Sequence, residues 1–436
     1  MKVSLISLGC PKNLVDSENM LGILQQEGFE ITLSEDNADF VIVNTCSFIK
    51  EAEKESVKTI LALAESGKKV VITGCLAQKY KQELQEAIPE AFAIIGTGDY
   101  QKIGEIMKSL SNNDKKRFEI SETPEYRHIE SIKRFHISTG SGAYIKIAEG
   151  CNYSCAFCVI PYLRGKYISR TMDSIAKEAK ELGKEGLSEI ILIAQDTASY
   201  GKDIYGKPSL GKLLEKLNDI EEISWIRPMY FYPSPVFLDD ELLNTMARLE
   251  KVVKYIDIPL QHSHPEILKL MQRPVVDNGK LIEKIREKMP DAAIRTVFIT
   301  GFPGETEKHF EHLYKFVEKY RFDKLGVFEY SREKTTASDK FKKHVSSKIK
   351  KFRKKQIMEL QQGISREINT GLIGKQIPCI VETINSGKQI VGRTYRDAPE
   401  VDGVIYIETT QDVNPGDIVP VTITNASEYD LHGVIA

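Results

Sequence analysis

Three cysteines crowd into eight residues, Cys151-Asn152-Tyr153-Ser154-Cys155-Ala156-Phe157-Cys158, and no other feature of the chain limits its fold and chemistry so tightly. Thiolates are the usual protein ligands of iron–sulfur clusters. A C-x-x-x-C-x-x-C loop presents three of them together, enough to hold three irons of a 4Fe–4S cube and leave the fourth open. A structural zinc site wants four ligands. No fourth Cys or His stands at finger-like spacing here, the nearest upstream histidine being His136 in a different segment.

The remaining cysteines are Cys10, Cys46, Cys75 and Cys379. An odd total in a long chain without a secretion signal argues against a disulfide framework. Residues 1–110 alternate between short β-branched runs (3–8, 40–43, 70–73) and helical patterns (17–26 after Asp16, 48–65, 79–87). This pattern predicts a parallel α/β domain. Cys10, Cys46 and Cys75 each follow one of its strands. Carboxyl ends of parallel strands share one edge, where ligands bind. Any one of these thiols alone reads as a small buried residue; three at the same topological position point to a second cluster.

Residues 111–136 are polar and charged and read as a linker. A second βα series follows, with strands at 143–148, 189–194, 224–230, 252–258, 292–299 and 325–330, and helices including 174–186, 240–249, 279–288 and 305–319. Six such units predict an incomplete, splayed relative of the eightfold barrel, with function in the loops after the strands. The C-x-x-x-C-x-x-C loop directly follows the first. Gln195 and Asp196 end the second, where polar groups would meet a sugar or substrate. Gly301 and Gly304 follow the fifth, either letting backbone approach a ligand or only making a turn. His262 and His264, after the fourth, look like a metal pair, but barrel-end histidines more often serve as hydrogen-bonded supports or substrate contacts. Both are left out of the metal set.

The Lys-rich stretch 334–355 reads as a solvated connecting helix rather than a nucleic-acid stripe, with Phe341, Phe352, Ile357 and Leu360 as its packing face. Five short strands then fall at 377–383, 389–395, 404–408, 418–424 and 429–435, predicting a small barrel of oligonucleotide-binding type with Cys379 in its core. The expected fold is therefore α/β multidomain: a parallel α/β domain (1–112), a partial (β/α)6 barrel (137–365) and a small β-barrel (366–436).

Charge separates possible partners. The formal net charge is only −2, so no global field draws the chain to nucleic acid or membrane. Residues 366–436 hold five basic and ten acidic residues. Barrels of this type that grip RNA are expected to be basic. An acidic one suits a basic protein partner, or is simply a solvated surface. No run approaches the about 18 apolar residues of a membrane span. The stretch before Cys10 is too short for a signal core. A cytoplasmic protein without membrane contact is expected.

Phe157, just before the third cysteine, completes the radical S-adenosylmethionine (SAM) signature. The chain resembles the radical SAM methylthiotransferase family over nearly its whole length, with a three-cysteine N-terminal domain, a partial barrel and a terminal TRAM barrel. Ser7-Leu8-Gly9-Cys10-Pro11-Lys12-Asn13-Leu14-Val15-Asp16-Ser17-Glu18 is similar to the branch that modifies a ribosomal protein; the tRNA-modifying branch typically reads Gly-Cys-Gln-Met-Asn here. Ala194-Gln195-Asp196-Thr197 and Asp257-Ile258-Pro259-Leu260-Gln261-His262 are similar to the same branch. Ser331-Arg332-Glu333-Lys334-Thr335-Thr336 departs from it, lacking a Glu-Gly-Thr run.

The resemblance implies methylthiolation of an aspartate β-carbon in the twelfth small-subunit ribosomal protein, at the decoding centre. It implies two SAM molecules and two 4Fe–4S clusters, one on Cys151, Cys155 and Cys158 and an auxiliary one on Cys10, Cys46 and Cys75. Phe157, Gln195, Asp196, Gly301 and Gly304 are assigned to SAM, and no catalytic residue beyond the cluster ligands is singled out. The implied partners are that ribosomal protein, free or on the ribosome, and an electron donor such as flavodoxin or ferredoxin; stable RNA binding is not expected. The alternatives are a tRNA-adenosine methylthiotransferase and, less in keeping with an open iron, a non-enzymatic iron–sulfur scaffold.

Overall fold

Runs such as Phe40–Thr45 and Val70–Gly74 are apolar on both faces, and a strand of that kind is stable only with helices above and below it. The structure is a computed structural model describing residues 1–112, 117–124, 126, 133–138, 140–234, 240–385 and 389–435, and it separates into two units.

The first unit comprises Met1–Ser138, Ala148–Tyr153 and Cys158–Ile168. Its strands are β1 (Lys2–Ser7), β2 (Glu30–Ile31), β3 (Phe40–Thr45), β4 (Val70–Gly74), β5 (Ala93–Ile95) and β6 (Arg117–Glu119). They form one parallel sheet in the order β2-β1-β3-β4-β5-β6. Alternate residues face opposite sides. Phe40 and Ile42 pack with Met20 and Leu24 of α1 (Pro11–Gln26) and with Met107 of α5 (Ile103–Ser111). Val41 and Val43 pack with Ile60 and Leu63 of α2 (Lys50–Glu65).

Three expectations change here. Helix α1 begins at Pro11, six residues before the expected Ser17, because proline at the first helical position has a preset φ and lacks only an N–H that would go unpaired. The expected helix 79–87 is two helices, α3 (Cys75–Tyr80) and α4 (Gln82–Ala87), broken at Lys81 with φ 45°. The expected linker supplies β6 as an edge strand, while its residues 113–116, 125 and 127–132 lie outside the described residues. Farther along, buried Glu18 accepts from Ile137 N, Ser138 N and Ser138 Oγ and pairs with Arg134 at 3.0 Å. One carboxylate thus fastens the end of this stretch.

The second unit comprises Thr139–Ile147, Ser154–Phe157 and Ser169–Ala436. Strands β7 (Gly142–Lys146), β8 (Glu189–Ile193) and β9 (Trp225–Pro228) form one parallel sheet; β10 (Tyr255–Asp257), β11 (Ala293–Thr300) and β12 (Lys324–Glu329) form another. A parallel bridge between Ile226 and Val252 links them, so the six strands run in chain order as an open, splayed barrel. Its helices include α7 (Met172–Lys184), α8 (Leu210–Asn218), α9 (Asp240–Arg248), α10 (Pro265–Leu270), α11 (Asn278–Lys288) and α12 (Glu307–Tyr320).

The Lys-rich stretch enters α13 (Ser347–Thr370), which buries Arg353, Ile357, Gln361 and Ile364 at helical spacing. Phe352 is 57% exposed, a correction to the expected packing face, because Arg353 takes the inward position to reach Glu305. The terminal strands β13 (Gln376–Ile384), β14 (Ile390–Thr394), β15 (Ile405–Glu408), β16 (Ile418–Ala426) and β17 (Leu431–Ile435) close a barrel in the order β13-β14-β15-β17-β16. Cys379 lies in its core. Part of the barrel's acidity faces inward within the unit: Asp397 pairs with Lys324, Asp402 with Arg295, and Glu382 with Arg393.

Candidate metal centres

Strands β1, β3 and β4 are neighbours in register, with Ser7 opposite Asn44 and Thr45 opposite Gly74. Their carboxyl ends therefore lie side by side, and the chain places a cysteine beyond each. Cys10 is the N-cap of α1 and is exposed; Cys46 follows β3 and Cys75 opens α3, both buried. Two glycines make this approach possible. Gly9 has φ +94°, and a Cβ there would lie 2.7 Å from Cys46 Sγ. Gly74 has φ +93°, and its Cβ would fall 2.3 Å from Asn44 Oδ1. Neither position admits a larger residue without strain.

A polar frame fixes the strand tips. Buried Asn13, three residues after Cys10, donates from Nδ2 to Leu8 O and Thr45 O, both at 2.9 Å. Asn44 Nδ2 donates to Asn13 O at 2.8 Å and to Ser17 Oγ at 2.9 Å. Ser56 Oγ accepts from Cys46 N at 3.0 Å.

Arg164, in α6 (Ile160–Arg164), is the residue that sequence reasoning missed. Its guanidinium is buried, donating to Asp16 Oδ2 at 2.6 Å, Glu149 Oε2 at 3.1 Å, Asn13 Oδ1 and, at 3.6 Å, Cys75 Sγ. Asp16, read from sequence as a helix start, is instead its ion-pair partner. Val159 and Leu163 pack on Cys75. The available signal was Arg164 itself, six residues beyond Cys158, but nothing local says that it reaches Cys75, 89 residues away in sequence.

Electrostatics agree with the grouping. Burial first, then the charges of Cys75 and Cys10, push the Cys46 thiol up to about 12. Burial also raises the Cys75 thiol, while Arg164 opposes that shift. Burial would lower the Arg164 pKa, but Glu149, Cys75 and Asp16 hold it well above the usual range. This is a site with three thiols and one buried cation. An all-sulfur donor set suits iron–sulfur clusters, and a fixed positive charge offsets the thiolates such a cluster requires.

The C-x-x-x-C-x-x-C thiols are all partly exposed. Cys151 N donates to Gly165 O at 3.1 Å within the first unit. In the second unit Cys155 Sγ lies 3.6 Å from Tyr232 Oη and accepts from Arg273 Nη1 at 3.9 Å, with the Arg273 guanidinium 4.3 Å from the Tyr232 ring centroid. Ala156 N donates to Met271 O, and Ala156 O accepts from Ser338 N at 2.8 Å. Here too a thiol, that of Cys155, lies beside a cation.

Comparison with known proteins agrees with this chemistry. Family descriptions match in sequence order: the uncharacterized protein family UPF0004 over residues 2–96, the radical SAM superfamily over 145–317 and the TRAM domain over 373–436. Ribosomal protein uS12 methylthiotransferase RimO of Rippkaea orientalis is 46% identical over 434 residues, covering 99% of this chain and 95% of that protein. RimO of Gloeobacter violaceus is 46% identical over 436 residues, covering 99% and 98%. The chain belongs to the RimO family. Among solved structures, the radical SAM methyltransferase TsrM of Kitasatospora setae, with cobalamin and a [4Fe-4S] cluster bound, matches with a TM-score of 0.56 at 15% identity, covering 86% of this chain and 79% of that one. At that identity the likeness concerns the fold alone.

The five residues assigned to SAM in this RimO-family chain have varied surroundings. Phe157 packs in an apolar cluster with Phe302 and Phe341, edge-on to Phe302 at 6.3 Å. Gln195 is partly buried at the end of β8. Asp196 is fully buried, accepting from Ala198 N, Tyr232 N and Ser199 Oγ, so its carboxylate braces the loop. Gly301, with φ +73°, donates to Glu305 Oε2 at 2.9 Å, and a Cβ there would meet Lys350 Cγ at 2.3 Å. Gly304 donates to Lys343 O and faces Leu270. Both glycines serve a turn closed by this chain's own groups.

The two barrel-end histidines are acceptors. His262 Nδ1 accepts from His264 N, and His264 Nδ1 from Glu266 N. His264, Glu266 and His309 bring their ligand atoms close together. Yet His309 Nδ1 accepts from Thr306 N, which leaves its Nε2 to donate to Glu266 Oε2 at 3.1 Å. A metal-ligating histidine donates from its other nitrogen. The cluster is a set of helix and turn caps.

Proposed function

We propose that the chain is a radical SAM methylthiotransferase acting on ribosomal protein uS12, adding the methylthio group at an aspartate β-carbon in the cytoplasm. The reading is carried by full-length similarity to RimO together with the convergence of Cys10, Cys46 and Cys75 on one sheet edge. No helix among the described residues is long and apolar enough to cross a membrane.

Two clusters are proposed, one held by Cys151, Cys155 and Cys158 and an auxiliary one by Cys10, Cys46 and Cys75. When bound, the clusters and SAM supply the radical, the sulfur and the methyl group. The chain's own residues position and shield. Asn13 and Asn44 set the strand tips, Arg164 balances thiolate charge, and Arg273 does the same at Cys155. The apolar group around Phe157 and Phe302 keeps water from the loop. Phe157, Gln195, Asp196, Gly301 and Gly304 remain the proposed SAM surroundings, with Asp196, Gly301 and Gly304 acting by shaping loops. The proposed division is 1–112, 137–365 and 366–436.

The test is anaerobic reconstitution followed by incubation with SAM, dithionite, sulfide and a peptide copying the uS12 loop, read by mass spectrometry. A methylthio gain on the aspartate in wild type, absent in Cys10→Ala, is the expected result. SAM cleavage with an unmodified peptide and unmodified ribosomes, but a modified tRNA, would sink the uS12 reading.

A further inference from the structure

Between Lys340 and Met358 the chain carries nine basic residues and no acid. Lys340, Lys342, Lys343, Lys348, Lys351 and Lys355 are all exposed, and among the described residues only Lys355 has an ion-pair partner, Glu359. Lys348, Lys351 and Lys355 share one face of α13. Two exposed apolar side chains lie among them, Ile349 at 43% and Phe352 at 57%. The first turn of α13 contains no acid and carries Lys348 and Lys350, where the helix dipole disfavours cations.

The patch is anchored to the cluster loop. Ser338 N donates to Ala156 O at 2.8 Å, between Cys155 and Cys158 in the chain. Phe341 packs in the apolar cluster of Ala156, Phe157 and Phe302, with its ring 6.0 Å from that of Phe302. Lys343 O accepts from Gly304 N, and the His344 ring stacks on Tyr330, whose backbone O accepts from Lys350 Nζ. Ser338 and Phe341 thus pack on the segment that carries Cys155, and Lys343, His344 and Lys350 hold the start of the basic stretch to the adjoining Gly304 and Tyr330.

We infer that this lysine-ringed apolar surface is the docking site for an acidic one-electron carrier protein that reduces the cluster held by Cys151, Cys155 and Cys158. The inference rests on the proposed radical SAM activity, which requires one electron per SAM cleaved: the carrier is oxidised by one electron and the cluster reduced by one. An apolar centre with a charged rim is the anatomy of a protein–protein contact, and complementary charge speeds encounter with an acidic partner. RNA is the less fitting polyanion. The exposed cations are lysines rather than the planar forks that bind phosphate in pairs, Arg353 being buried and Arg332 paired with Asp339.

The experiment compares the full-length holoenzyme with a Lys342→Glu/Lys348→Glu/Lys351→Glu variant and with Phe352→Ser, using an acidic flavodoxin and an acidic ferredoxin as probes. The reversed charges in α13 suit the helix dipole, and circular dichroism confirms folding. The expected result is carrier binding by wild type that weakens as salt rises. In the triple variant, binding at low salt falls roughly tenfold or more, with a smaller loss in Phe352→Ser. Carrier-driven cluster reduction slows in parallel, while dithionite-driven SAM cleavage is unchanged. Carrier binding that is absent in wild type, or equal in wild type and triple variant, overturns the inference. So does loss of binding to an RNA stem-loop with carrier binding intact. Failure of wild type to cleave SAM with dithionite would instead count against the proposed function.

Discussion

Each unit of the molecule buries a network of arginine and carboxylate, and the two are chemically alike but set to different tasks. In the first, Arg164 joins Asp16, Glu149 and Asn13 and also reaches a thiol. In the second, Glu189 of β8 lies between Arg227 of β9 and Arg393 of β14, with Glu382 of β13 on the far side of Arg393. Among the described residues no cysteine is a hydrogen-bond partner of this network; it fastens the terminal barrel to the splayed one. Buried ion pairs contribute little net stability over an apolar replacement, but breaking one leaves a charge stranded. Burial of charge alone therefore does not mark a functional site. The atom the charge faces does.

The largest expected effect separates the two networks outright. Cys75→Ala is expected to lose the iron of the cluster proposed at Cys10, Cys46 and Cys75 and to abolish methylthio transfer, whereas Glu189→Gln retains iron; iron and sulfide per chain, measured with the peptide mass shift, checks both. Next, Arg164→Met is expected to cost about 3–5 kcal/mol in urea unfolding, since it takes the cation from buried Asp16 and Glu149, and Arg393→Met somewhat less, since Glu189 keeps Arg227 and Glu382 is only partly buried. Only Arg164→Met should also lower retained iron. Equal retention in the two variants would erase the distinction drawn here.

Gly74→Ala comes third, at roughly 1–3 kcal/mol from the left-handed backbone, with added crowding against Asn44 and Thr45. Urea unfolding gives the cost, and iron content should fall because Cys75 is the next residue. The smallest effect is acid sensitivity in the second network. Burial would raise the Glu189 pKa, but Arg227 and Arg393 overcome it and hold the carboxyl below the usual range. A depressed carboxyl stabilises the fold above the unfolded value, about pH 4.3, and loses that contribution as pH falls through its folded pKa. Thermal unfolding followed from pH 6 down to pH 3 should show a steeper decline in wild type than in Glu189→Gln.

The comparison also shows which residues could be read in advance. All six proposed cluster cysteines were legible, three because they are adjacent in sequence and three because each ends a strand run. Arg164 was not, since its meaning depends on α6 lying beside α3 with Leu163 and Val159 packed on Cys75. Asp196 was legible as the end of a barrel strand, but that its oxygens accept from Ala198, Ser199 and Tyr232 depends on how the loop folds. The Phe352 error came from extending an apolar periodicity that Arg353, drawn inward by Glu305, interrupts.

Sequence alone determined the α/β character, the six-strand splayed barrel, the five-strand terminal barrel and the thiol positions. Each follows from local periodicity, or from a motif whose parts are close in the chain. Only the tertiary structure decided that Arg164 faces Cys75, that Gly301 and Gly304 close a turn, that part of the terminal barrel's acidity faces inward, and that Ser338 and Phe341, just before the lysines of α13, pack on the Cys155 segment. Those outcomes depend on contacts between residues far apart in sequence, where burial, charge and available space decide together.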